Sequence, residues 1–76
     1  LGTNPRELAQ QIVDGLAARL AQNPKDEAGW VRLMRARMVM NDRAAATAAL
    51  KSAKAAFAGD AAALSRLDAA ARELQV

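Results

Sequence analysis

The sequence has no cysteine, no histidine and no tyrosine, and only one tryptophan and one phenylalanine among its 76 residues. Without cysteine there is no disulfide, no thiolate nucleophile and no Cys-x-x-Cys-His attachment point for haem. Without histidine the commonest general base and a common zinc ligand are gone. The acids are scattered, and the adjacent pair Asp26 and Glu27 would diverge on a helix rather than act together. No glycine-rich phosphate loop is present. The expectation is therefore no catalysis, no cofactor and no metal. No run reaches the ~18–20 apolar residues of a membrane span, and no signal peptide is visible, so no membrane contact is expected of this segment. A chain of this length buries only about 60–65% of its unfolded surface. Its stability must come from helix packing, a partner or a larger parent chain. The first residue is Leu rather than Met, and the chain is read as a fragment of a longer one, with residues 1–76 forming one helical domain.

What is abundant is alanine, at 21 positions, while β-branched and aromatic residues are few. That composition favours helix. Two segments, "TNPREL" and "QNPKDEA", place Asn before Pro with an acid two residues after it. Asn caps open N–H groups, Pro suits the first helical position, and the acid complements the helix dipole. The spacing predicts helices starting at Pro5 and Pro24, over about residues 5–21 and 24–40. Asn41 suits a left-handed cap, and Asp42 can start a third helix over about 43–57. Gly59 stops that helix and Asp60 caps a fourth over about 61–74. Short connections make successive helices antiparallel neighbours. The fold class is all-α, with four short antiparallel helices.

The candidate core follows the helical period. In the first helix Leu8, Ile12, Leu16 and Leu20 recur every four residues, and Gly15 suggests close approach of a neighbour. The second helix contributes Trp30, Leu33 and Met34, with Met40 on the same side. The third contributes Ala46, Leu50, Ala53 and Phe57. The fourth contributes Leu64, Leu67 and Leu74, with Ala71 in the same stripe. The three Met residues at helical spacing read as packing side chains rather than metal or haem ligands.

A chain of short antiparallel helices invites a search for an internal period. Trp30 with Leu33 three residues later, then Ala46, Leu50 and Ala53, fall at the spacings of the 34-residue tetratricopeptide repeat (TPR). The chain thus resembles one degenerate TPR-like helix-turn-helix with a flanking helix on each side. Leu64 and Leu67 stand one period after Trp30 and Leu33. Where the repeat has Gly, Tyr and Phe, this sequence has Met34, Arg37 and Leu50. Met34 can fill the space that the missing Gly opens, and Arg37 is expected to pack its stem while its guanidinium reaches an edge or an acid.

A second strip on the second helix, about 80–180° from Trp30, is apolar with cations in it. Its members are Ala28, Val31, Arg35, Met38 and Val39, with Arg32 beside them, and Arg72 is the corresponding cation on the fourth helix. Such a strip suits an amphipathic helical peptide, with Met38 repacking around varied side chains and Arg35 pairing with acids or a terminal carboxylate. The rival reading packs it against another helix of the parent domain or a second copy of the chain. From Trp30 to Lys54 there are six bases against one acid, which suits an acidic or polar partner. No aromatics lie on that patch for base stacking, so nucleic acid is not expected.

Three motifs carry a wider likeness: V-x-G-L-A-A-R-L from Val13 to Leu20, N-P-x-D-x-x-G-W from Asn23 to Trp30, and A-F-A-G-D-x-A-A-L-x-R-L from Ala56 to Leu67. Through them the chain resembles the C-terminal periplasmic region of the CycH family of cytochrome c biogenesis proteins. The resemblance implies a membrane-anchored protein of the periplasm whose TPR-type domain holds apocytochrome c by its C-terminal helix. It implies delivery of that polypeptide to the components of the haem ligation complex. The alternative is a structural or oligomerisation segment that completes a larger helical-repeat domain.

Overall fold

A computed structural model describes residues 4–76. Four helices make up the described chain: α1 (Pro5–Gln22), α2 (Glu27–Val39), α3 (Arg43–Ala56) and α4 (Ala61–Leu74), with no strand among the described residues. The all-α class expected from the alanine content is what forms. The arrangement is compatible with a TPR-like helical repeat. α2 packs on each of the other three helices, and α4 also packs on α3. The described molecule measures 48 × 26 × 16 Å.

Each helix starts on a side-chain oxygen that accepts an open backbone N–H. Asn4 accepts from the Arg6 N–H at 2.9 Å, with Pro5 at the first helical position. Asp26, Asp42 and Asp60 accept from the N–H groups of Gly29, Ala45 and Ala63 at 3.0, 3.1 and 3.1 Å. Asn41 and Gly59 take the positive φ values, 60° and 90°, that turn the chain out of α2 and α3.

The start expected at Pro24 is not used. Asn23 instead closes α1, its N–H donating to the Arg19 carbonyl at 2.8 Å. Pro disfavours helical geometry in the residue before it, which fits Asn23 as an end rather than a beginning. Pro24 lies in the turn, where its carbonyl accepts the Trp30 indole N–H at 2.8 Å. Asp26, two residues on, supplies the cap.

The core is built from Val13 and Leu20 of α1, Trp30, Leu33 and Met34 of α2, Ala46, Ala49 and Ala53 of α3, Phe57, and Ala63, Leu67 and Ala71 of α4. Leu16, Leu50, Leu64 and Leu74 are half-buried against it. Two core expectations are corrected: Leu8 is 50% exposed and Ile12 is 64% exposed. A strict four-residue spacing turns ~40° per step, because each residue advances ~100°. From Leu20 back to Leu8 the stripe therefore rotates ~120°, off the core. The buried side of α1 is the 13-16-17-20 set, in which Val13 replaces Ile12.

Gly15 is likewise corrected: a side chain there would meet nothing within 4 Å. The close approach is at Gly29, where a Cβ would lie 2.6 Å from an Asp26 carboxylate oxygen and 2.9 Å from the Leu20 methyl Cδ2.

The period expected from sequence also marks the helix boundaries. α1 and α3 end at residues 22 and 56, and α2 and α4 begin at 27 and 61, each pair 34 apart. Their capping aspartates, Asp26 and Asp60, keep the same interval. α1 departs from the register only at its front, which starts about a turn early.

Candidate functional site

The strip proposed from sequence lies on α2, and its members separate by burial. Ala28, Arg32, Arg35 and Val39 are all exposed. Their spacing of four, three and four places them on one side of the helix. Val39 is 81% exposed, an apolar side chain almost wholly in water. Val31 and Met38 are half-buried. They follow Glu27 by about one and three turns, and Glu27 is the residue that pairs with α4, so they border the strip on its α4 side. Arg72 is exposed on α4 and does not line the same hollow as the α2 residues.

That hollow is an open groove of about 300 Å³ between the strip and the front half of α1. Ala9, Ile12 and Val13 form one wall, and Ala36, Val39 and Met40 the other, with Arg32 and Arg35 at its edge. Sequence reasoning missed the α1 wall because it counted Ile12 as core. Three of the seven candidates, Arg32, Arg35 and Val39, are thus brought together with residues of a second helix.

The electrostatics of the strip follow from which cations are already engaged. Arg66 donates to Glu27 through Nε at 2.9 and 3.1 Å and through Nη2 at 2.9 Å. This fork holds the Glu27 carboxyl below its usual range, first through the hydrogen bond and then through the guanidinium charge, and it raises Arg66 in turn. Lys54 pairs with Asp68 at 3.1 Å. Among the described residues neither Arg32 nor Arg35 has an acid within ion-pair distance. They stand as open guanidinium donors beside exposed apolar surface.

A second, wider groove of about 660 Å³ runs between α1 and α3 on another side of the molecule. Trp30, Leu33 and Arg37 lie along it, and alanines of α1 and α3 form much of its walls. Arg37 is half-buried there. The signal for this groove was the run of small residues Ala45, Ala48, Ser52 and Ala55 along one side of α3.

Against known proteins, 53 residues of the chain, 70% of it, are 45% identical to the cytochrome c-type biogenesis protein CycH of Bradyrhizobium diazoefficiens. Over that stretch the chain is similar to CycH. The matched stretch is 14% of CycH's length. No family model matches the chain, and no solved structure matches it. The likeness to CycH extends across most of a chain whose exposed strip combines apolar and cationic side chains, while the described residues hold no cluster of acids that could bind a metal.

Proposed function

We propose that this CycH-type segment is a non-catalytic polypeptide-binding module of TPR type that acts in cytochrome c maturation. In this reading it works in the periplasm as part of a membrane-anchored protein. It binds the C-terminal helix of apocytochrome c and presents the polypeptide to the haem ligation components. The observation that carries the reading is the exposed α2 strip, where Val39 is open to water and Arg35 has no acid partner among the described residues. An amphipathic helix would bury its apolar side on Ala28, Val39 and the edge of Met38. A carboxylate on that helix would accept from Arg35, with Arg72 on α4 available to a second acid.

The test is a titration of the chain with a peptide spanning the C-terminal helix of a c-type apocytochrome. Saturable binding is expected, weakened about 5- to 30-fold by Arg35→Ala, the loss of one charge-assisted contact of ~1–2 kcal/mol. Binding left unchanged by both Arg35→Ala and Met38→Ala would remove the strip as the site.

The rival reading, a structural segment completing a larger helical-repeat domain or a dimer, is favoured by a different observation. Leu8 and Ile12 expose apolar surface on α1. A mass that grows with concentration in sedimentation equilibrium would support the dimer, and a strict monomer would exclude it.

A further inference from the structure

We propose that the α1–α2 groove is the seat of one more helix of the same polypeptide, placed against α1 and α2 as α2 is placed against α3 and α4. We further propose that this helix carries a carboxylate in its first turn that pairs with Arg32. The proposal rests on the repeat reading and is independent of the cargo.

The argument is a translation by one period. α1 and α2 are related to α3 and α4 by 34 residues, through the helix ends, the four-residue turns and the aspartate caps. Moving α2 back by the same step places a helix across the front of α1 and alongside α2. Two residues then change their meaning. Ile12 is the counterpart of Ala46, which is fully buried on α3, the helix that packs on α2, yet Ile12 is 64% exposed. Arg32 is the counterpart of Arg66, which grips the carboxylate of Glu27, the first residue of α2, whereas Arg32 has no acid partner among the described residues. The apolar wall and the open cation sit on the same groove. Both are satisfied by one helix with an apolar side and an acid at its start. Helical repeats bury continuous apolar surface only when neighbours stack, so an uncovered wall in register with a covered one marks a missing neighbour. CycH itself is several times longer than the stretch matched here.

The same translation says what stays open. Ala28, Arg35 and Val39 correspond to Ala62, Ala69 and Glu73, all exposed on α4. By that correspondence Arg35 and Val39, on the rim of the groove, keep one side open beside the added helix, and Ala28, off the groove, stays accessible.

The test compares thiol alkylation of Ile12→Cys and Ala28→Cys, each the only cysteine present, in residues 1–76 alone and in the full-length protein. In the isolated chain both should react at the rate of an open thiol. In the full-length protein position 12 should slow at least tenfold while position 28 keeps its rate, and Arg32→Glu should restore reactivity at 12 where Arg35→Glu does not. Equal rates at position 12 in the two proteins would overturn the proposal. So would protection in the isolated chain that rises with concentration, the mark of a second copy. Protection that appears only on adding an apocytochrome peptide would overturn it too, by assigning the seat to cargo. Loss of peptide binding with position 12 still protected would count against the cargo reading alone.

Discussion

Trp30 holds the molecule's turns together through both ends of its side chain. Its ring is buried in the core, and its indole N–H donates to Pro24 in the α1–α2 turn. The same turn reaches α3 through Lys25, whose Nζ donates to the Ala56 carbonyl at 2.6 Å and lies 5.3 Å from the centre of the Phe57 ring. A cation at a helix C-terminus and over an aromatic face is favoured on both counts. Trp30→Ala should therefore cost ~3–5 kcal/mol. Total stability at this size is only ~5 kcal/mol, so the variant should be largely unfolded by circular dichroism. The two α-helical glycines give opposite signs for one substitution. Gly15→Ala adds a methyl in open space and should raise stability by ~0.5–1 kcal/mol. Gly29→Ala forces the Asp26 carboxylate or Leu20 aside and should lower stability by ~1–2 kcal/mol through the damaged cap and overpacking. Urea titrations of the two variants read both. Glu27 contributes differently. Its carboxyl is held below the unfolded value, so its contribution is complete above that value and is lost as pH falls through the folded one. Glu27→Gln should flatten part of the acid limb of a stability-against-pH curve, and more at low salt than at high salt.

At the scale of the helices, three are held by several neighbours or by caps and pairs on both sides, while α1 packs only on α2 among the described residues. Its front half, with Leu8 and Ile12 facing solvent, has little to hold it. In the isolated chain, amides of α1 before about Val13 should exchange in hydrogen-exchange experiments much faster than those of α2; comparable protection would mean that something covers them. The sequence made the helix number and most boundaries readable, because caps are local chemistry: Asp42, Gly59 and Asp60 act within a few residues of themselves. It misplaced the start of α2, where Asn-Pro and Asp compete within four residues: Asn23 closes α1, Asp26 caps α2, and Pro24 in the turn between them accepts the Trp30 indole N–H. It also overcounted the core of α1. A four-residue spacing reads as one stripe on paper, but the neighbour that would decide between Leu8 and Val13 cannot be seen from α1 alone. Gly29 was missed in part for the same reason, since its crowding comes from its own cap, Asp26, and from Leu20 on another helix.

Over the whole molecule, a 34-residue step relates the two halves and sorts the candidate site. The strip residues were legible because a helix repeats its sides regularly. Their neighbours Ala9 and Ile12 were not, because the groove is made by two helices and its α1 wall had been assigned inward. Net charge of +3, concentrated between Trp30 and Lys54, should make peptide capture faster and tighter at low ionic strength, with association rates falling as salt rises. The central claim, that the α2 strip receives a helical polypeptide, is tested most directly by methyl and backbone NMR during titration with the C-terminal helix of a c-type apocytochrome. The account predicts that the Val39 and Met38 methyl groups and the Arg35 amide shift progressively, while Phe57, Ala53 and Leu67 in the core stay in place. Shifts confined to the α1–α3 groove around Ala48 and Ala55, or no shifts at saturating peptide, would contradict it.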